Sequence, residues 1–448
     1  MLYDLYRPIY THASTYSLST NLAIKISLVT MAPKTKKPKV TKPVVGHDEV
    51  TKEEETINQN FSLQVAMHVI RQHVADNESV VCSPVSIDTI LSILATGAEN
   101  YTLDQLLKLL GYADVGELNE AACKLSDVLK DSDKEDAPEI SSVNALWLDR
   151  RFSLKAKFRK VLRNVHKAQV SVVDFVNEAD KVVDEANSWA EEQTKGLIKQ
   201  FLTKKNINND TSLLLANALY FKGIWHKNFE PKDTKQGDFI LLNGDKVRVQ
   251  FMNQRYKYFE YGTSDECQVL QMPYKTGEFS DDDEDSPKCF SMYVFLPLEK
   301  NGLPNLLEKM MIDPNSFIDK FKFKSAKIAR LSIPRFNFES DINLKEAMKQ
   351  LGLTLPFEEN CRDFSGIIDV SAYPVYVSDI YQKCRIETNE QGTEAVAVTR
   401  FGLMCGAAPP SARPPPPINF VADHPFLFMI REEISGAILF VGTMINPK

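Results

Sequence analysis

Glu390-Gln-Gly-Thr-Glu-Ala-Val-Ala397 continues as Val398-Thr-Arg-Phe-Gly-Leu-Met-Cys-Gly406. Strand side chains alternate between two faces, so a segment able to enter a sheet needs one alternate set fit for burial. From Thr393 that set is Thr393, Ala395, Ala397, Thr399, Phe401, Leu403 and Cys405, without charge or proline. Glu394 and Arg400, the only charges between Thr393 and Gly406, fall in the opposite set. Prolines crowd in just beyond, at Pro409, Pro410 and Pro414 to Pro417, where each would remove a ladder hydrogen bond. Gly392 has no Cβ to hinder a backbone swing, and Ala395 and Ala397 are small. The fourteen residues Thr393 to Gly406 would span roughly 45 Å as a strand. By itself the stretch reads either as a mobile segment that can become a strand or as a flexible Ala/Gly/Pro-rich surface loop of no special purpose.

Helical patterns come first along the chain. Phe61, Val65 and Val69, with Ala66 and Ile70, recur at the spacing of a buried helical face. Ser83-Pro84 supplies a cap and a first-turn proline ahead of Ile87, Ile90, Leu91 and Leu94. Thr102 to Gln105 reads as a capping box before Leu106, Leu107 and Leu110, and Gly111 ends that helix. Val247 to Met252, Ser291 to Leu298, Ala329 to Phe338, Tyr373 to Glu387 and Ala437 to Ile445 read as strands. Helices first and mostly strands later, with no βαβ rhythm, predict an α+β fold. The acidic run Asp281 to Asp285 reads as a solvated loop between two strands.

The 448 residues are 43% apolar with a net charge of -7, an ordinary globular composition that argues against a general nucleic-acid binder. Seven scattered cysteines with no CxxC pair read as reduced thiols rather than a disulfide framework or zinc site. Sequons at Asn60, Asn77, Asn100 and Asn209 would matter only in a secreted chain. Residues 1–56 are expected to be a disordered extension, basic and then acidic, ahead of one domain at 57–448. Within residues 1–47 Asp4 is the only acid against seven Lys or Arg. That leader reads as an organelle transit segment, as a nuclear-import patch at Pro33 to Lys39, or as a tail without an address, with Met31 as another start. Leu22 to Val29 is short and interrupted by Lys25, so neither a secretory signal nor a membrane anchor is expected. The expected location is intracellular, cytoplasmic or nuclear, with organelle targeting left open.

Five segments, spread from about residue 57 to the end, carry a resemblance. They are Ser83-Pro-Val-Ser-Ile87, Leu215-Ala-Asn-Ala-Leu-Tyr-Phe-Lys-Gly-Ile-Trp225, Val269-Leu-Gln-Met-Pro-Tyr274, Glu390-Gln-Gly-Thr-Glu-Ala395 and Phe420-Val-Ala-Asp-His-Pro-Phe426. Together, in this order, they resemble the serpin family, and plant serpins most. The resemblance implies about nine helices, three sheets and an exposed reactive-centre loop, with hinge and loop at 390–419. It implies a monomeric protein that is not an enzyme and needs no cofactor. Its partner would be a serine or cysteine protease, trapped as an acyl ester while the cut loop enters the central sheet. Strand addition of this kind is what the family is known for.

Carried onto this chain, the hinge is Glu390, Gly392, Thr393, Glu394, Ala395 and Ala397. Counting seventeen residues from Glu390 places the reactive bond at Gly406–Ala407, with Leu403, Met404 or Cys405 as alternative specificity positions. Glycine offers nothing to a deep pocket, so a papain-like cysteine protease fits better than a trypsin-like enzyme. The sheet-opening positions are Ser83, Ser86, Asn217, Gln382 and Trp225. Gln382 stands where the family usually carries histidine, and Val396 and Val398 are bulkier than usual, which keeps a non-inhibitory serpin as an alternative. Glutamine offers both a donor and an acceptor there.

A second class of function is polyanion binding. Lys155, Arg159, Arg163 and Lys167 repeat every fourth residue, opposite Phe158, Leu162 and Val165. Eight basic residues crowd 150–167 without an acid, against the plainer reading of a solvated helix face. An enzyme reading fares worst: HExxH, GxxxxGK[ST] and GxSxG are absent, and the seven histidines are isolated. His424 reads as a structural turn, and Trp147, Trp189 and Trp225 as packing residues.

Overall fold

The computed structural model describes residues 57–132, 134–277, 288–312, 314, 317–369, 373–392 and 417–447. Among them are eight α-helices: α1 (Asn60–Ala75), α2 (Pro84–Gly97), α3 (Asn100–Leu110), α4 (Val115–Val128), α5 (Ala156–Asn164), α6 (Ala179–Gln193), α7 (Leu303–Ile312) and α8 (Lys345–Gln350). Fifteen strands accompany them: β1 (Val80–Cys82), β2 (Glu139–Asp149), β3 (Gln169–Val173), β4 (Leu213–Lys222), β5 (Lys235–Ile240), β6 (Lys246–Gln254), β7 (Lys257–Thr263) and β8 (Cys267–Pro273) in the first part. Then come β9 (Phe290–Pro297), β10 (Lys324–Pro334), β11 (Phe336–Asn343), β12 (Val377–Thr388), β13 (Ile418–Val421), β14 (Phe426–Glu432) and β15 (Ile438–Met444).

One sheet has five strands in the order β11-β12-β4-β2-β3, and the other has ten. The ten-stranded sheet joins what the resemblance treats as two smaller sheets. β10 is the joint: Lys324 to Ile328 pair with β7, and Leu331 to Pro334 pair with β6.

β4 is buried along nearly its whole length, as a central strand covered on both faces must be. Leu213, Leu215, Leu219 and Phe221 face the interior cores. Leu214, Ala216 and Ala218 face outward beneath α6, packed with Trp147, Ala186 and Ala190. The interior set also contains Asn217, which interrupts the leucines at mid-sheet.

Several local readings hold. Ser83 caps α2, its Oγ accepting from Ser86 N at 3.3 Å, with Pro84 in the first turn. Gly111 ends α3 with a left-handed φ of 79°. Trp147 and Trp225 are buried packing residues, and His424 is a buried turn residue bonded to the Pro297 carbonyl oxygen. No disulfide joins the six described cysteines.

Three readings need correction. Thr102 is not a cap: α3 starts at Asn100, and the Thr102 hydroxyl donates instead to Asp363 Oδ2 at 2.9 Å. The single strand expected at 329–338 is two strands in different sheets, broken at Arg335 after Pro334. The basic stripe does not ride one helix. α5 covers only 156–164, so Lys155 precedes it and Lys167 follows it with a left-handed φ of 49°. Lys167 Nζ donates to the Asn164 carbonyl oxygen at 2.8 Å, which ties it to the helix C-terminus.

Among the described residues no helix is long and apolar enough to cross a membrane. No group of three or more His, Cys, Asp or Glu there is placed to hold a metal ion.

Candidate functional site

β4 and β12 lie side by side at the centre of the five-stranded sheet and run parallel, from Val377↔Leu213 to Arg385↔Tyr220. Both outer neighbours, β11 on β12 and β2 on β4, are antiparallel. A row of polar residues crosses this seam on the interior face. Gln382 lies opposite Asn217, and Asn217 lies opposite Asn144.

Gln382 is fully buried. Its Oε1 accepts from Ser83 N at 2.9 Å and from Cys82 Sγ at 3.0 Å, and its Nε2 donates to the Ser83 carbonyl oxygen at 2.9 Å. Burial pushes the Cys82 thiol up to about 12, so it stays a neutral donor. Ser86 Oγ completes the cluster by donating to Ser83 Oγ at 2.9 Å. Glutamine therefore satisfies both its donor and its acceptor at this position, and ties the middle of β12 to the cap of α2.

Asn217 does not join that cluster. Its Nδ2 donates to Asn144 Oδ1 at 2.7 Å, and its own Oδ1 is buried without a partner. An orphaned buried acceptor costs about 1–3 kcal/mol, and this one sits on the β4–β12 seam.

The second cluster lies beyond the C-terminal end of β12. Asn389 N donates to the Gly392 carbonyl oxygen at 2.8 Å, with a longer return bond of 3.3 Å, so the chain reverses through Glu390 and Gln391. Gly392 then bridges antiparallel to Ile224, just past the end of β4. Trp225 N donates to the Gln391 carbonyl oxygen at 2.7 Å, and its indole Nε1 to that of Asn389 at 3.0 Å. The indole stacks on Tyr274 at 4.5 Å. Gly392 has a φ of 145°, and a Cβ there would lie 2.0 Å from the Gly223 carbonyl oxygen. Any side chain would lever the turn off β4.

Glu390 is 5% exposed. Burial alone would push its carboxyl up, but hydrogen bonds from Thr234 and Arg335, with the Arg335 charge, hold it below the usual carboxylate range. Arg335 Nε donates at 2.6 Å. Arg335 is the residue between β10 and β11, so the point where the chain changes sheets also clamps the Asn389–Gly392 turn. A groove of about 490 Å³ opens beside this clamp, lined by Arg335, Phe336, Thr388, Glu390 and Pro447 among others.

The structure thus brings Ser83, Ser86 and Gln382 into one network, and Trp225, Glu390 and Gly392 into another. Arg335, Thr234, Asn144 and Asn389 complete them without having been singled out from sequence. Thr393, Glu394, Ala395 and Ala397, the candidate bond at Gly406–Ala407, and Leu403, Met404 and Cys405 lie outside the described residues, as do residues 1–56 and the acidic run. On α5, Lys157, Arg159, Lys160 and Arg163 are exposed and form no ion pair among the described residues.

A central parallel strand pair, β4 and β12, is closed at one end by the Asn389–Gly392 reversal, which bridges back to Ile224. Residues 56–447 match the family model Serpin (serine protease inhibitor), so the chain belongs to the serpin family, typically non-enzymatic protease inhibitors. It is similar to Serpin-ZX of Arabidopsis thaliana, 35% identical over 88% of this chain and 98% of that one. Serpin-Z10 of the same plant is 38% identical, over 86% and 96%. Among solved structures, Arabidopsis AtSerpin1 in its native stressed conformation matches with a TM-score of 0.77 at 34% identity, covering 90% of this chain and all of that one.

Proposed function

We propose that this chain is a suicide-substrate inhibitor whose bait is the segment after Gly392. A serine or papain-like cysteine protease attacks between Leu403 and Ala408 and forms the acyl ester of its ordinary chemistry. The cut segment then enters the five-stranded sheet between β4 and β12 before the ester is hydrolysed.

The observation that carries this reading is the parallel β4–β12 pair with the Asn389–Gly392 reversal at its end. A segment turning back from β12 runs antiparallel to β12, and therefore antiparallel to β4 as well. Insertion replaces one parallel pairing by two antiparallel ones, which are slightly more stable per residue. The Gly392–Ile224 bridge is the first rung of that ladder. The uncharged alternate set from Thr393 to Cys405 suits the buried face such a strand would occupy.

Cutting the segment tests this directly. Mass spectrometry should place the cut between Leu403 and Ala408, and the cleaved chain should melt at a higher temperature than the intact one. An unchanged melting midpoint would favour a non-inhibitory serpin. The exposed cations of α5 support polyanion binding as a second reading. Retention on heparin that weakens with salt, and is lost in Arg159→Ala/Arg163→Ala, is its expected signature.

A further inference from the structure

One buried acid has no part in either cluster. Asp88 lies on α2 at the seam with α1 and is 7% exposed. Ser62 of α1 donates its hydroxyl to Asp88 Oδ1, and Asp88 Oδ2 is buried without a partner. A buried carboxylate is normally held by two or three N–H donors or by a cation. Asp88 has neither. Among the described residues it forms no ion pair, and no N–H of the first turn of α1 donates to it.

The surroundings bring no opposite charge. On the buried face of α1 the one titratable residue is His68, bonded to Gln72. α3 turns Asp104 and Lys108 to solvent, and the turn after it carries Tyr112, with Glu117 of α4 beyond. Burial, then the charges of Asp88 and Glu117, push the Tyr112 phenol up to about 12. α5 and β4 reach this core through Phe158, Leu162, Leu213 and Leu215, and β15 has no titratable residue. Moving a lone charge from water into such a site costs far more than burying the neutral acid. Burial accordingly pushes the Asp88 carboxyl up to about 7, against hydrogen bonds from Ser62 and Gln59.

The same seam carries the entry of α1. Gln59, at the start of that helix, gives it no side-chain cap and bonds β15 instead. Its Oε1 accepts from Ile438 N at 2.6 Å, and its Nε2 donates to the Ile438 carbonyl oxygen at 3.5 Å. Just before it, Asn58 Nδ2 donates to the Leu110 carbonyl oxygen at 3.1 Å. These bonds are all neutral. Asp88 is the one partner of this turn whose charge can change.

We propose that Asp88 is a proton-operated fastening of α1. As the neutral acid it lets α1 seat on α2 and β15; when its proton goes to solvent, the buried charge lifts the first turn of α1. The fastening is tight in mildly acidic surroundings and loosens toward neutrality, with no cut in the bait required. Between the ordinary carboxylate value of about 4 and the folded value, the folded chain keeps a proton that the unfolded chain has lost. Stability therefore falls as pH rises, by about tenfold in the folding constant per unit, and levels off above the folded value. Glu390, Asp174 and Asp423 are held below the usual range and act in the opposite sense at lower pH.

The test compares the wild type with Asp88→Asn in denaturant from about pH 5 to 8. The ratio of the wild-type folding constant to that of the variant should fall about tenfold per unit up to about pH 7, then flatten. Asp341, also raised by burial, is present in both chains and cancels. Hydrogen exchange at Ile438 N, the bond to Gln59, should quicken over that range more than at Ser83 N, the bond to Gln382. Carbon-13 NMR of aspartate-labelled wild type should show a carboxyl still protonated at about pH 6 and absent from Asp88→Asn. Its titration should move further up in Ser62→Ala, which loses a bond that steadies the charge, a readout that needs no stable asparagine variant. Parallel pH profiles for the two chains, an Asp88 signal titrating at the ordinary carboxylate value, or equal quickening at both amides would overturn the proposal.

Discussion

Gln382 and Glu390 stand eight residues apart, one within β12 and one just past its end, and the two are fastened by different chemistry. Gln382 is held by neutral hydrogen bonds to Ser83 and Cys82, wholly inside the protein. Glu390 is held by charge, and its partner Arg335 is 45% exposed. The centre of the seam therefore resists opening regardless of pH, whereas the hinge beyond it has an ionic fastening that acid can weaken. On the proposed reading, a loop that enters the sheet from one end benefits from that order, because the turn at Glu390 can yield first.

The largest effect is expected at the centre. Gln382→Leu would strand the buried N–H of Ser83, at about 1–3 kcal/mol, leave the Ser83 carbonyl oxygen only its Ile87 N–H, and should lower the denaturant midpoint without altering the slope. A midpoint shift under 1 kcal/mol would mean that the amide is not the latch. Arg335→Ala comes next, since it leaves a buried carboxylate without its cation. Breaking a buried pair costs about 3–5 kcal/mol, reduced here to roughly 2–3 by the half-exposed guanidinium. Adding Glu390→Gln should recover much of that loss, and purely additive effects would contradict the pairing.

Gly392→Ala should cost about 1–3 kcal/mol, concentrated at the turn, because its Cβ meets the Gly223 carbonyl. Faster hydrogen exchange at Trp225 N, with β4 and β12 unchanged, is the expected pattern. The smallest effect is that of pH. Because the Glu390 carboxyl is held below its usual value when folded, its contribution is complete above the ordinary carboxylate range and is lost as pH falls through the folded value. In a Trp147→Phe/Trp189→Phe background, Trp225 emission should change in that acid window, and Glu390→Gln should abolish the change.

The same contrast explains what could be read from sequence. The helix and strand pattern, the Ser83 cap and the Gly111 stop follow from neighbours in the chain. Thr102 was misread as a cap because its partner, Asp363, is 261 residues away. The break at Arg335 was invisible because both sides are equally strand-like, and only the three-dimensional arrangement says that they belong to different sheets. For the same reason Arg335 was not recognised as the partner of Glu390. The family resemblance located Ser83, Gln382 and Trp225, but which of these residues bond to one another is a matter of tertiary geometry. Asn217, opposite Gln382 in register, turns away from it to Asn144.

The central claim is that the segment after Gly392 is bait that becomes a strand between β4 and β12. Incubating the intact chain with serine and papain-like cysteine proteases, then running the products in SDS, tests it most directly. An SDS-resistant band joining protease and cleaved chain is the predicted result. Release of free cleaved chain by every enzyme, with no such band, would contradict it.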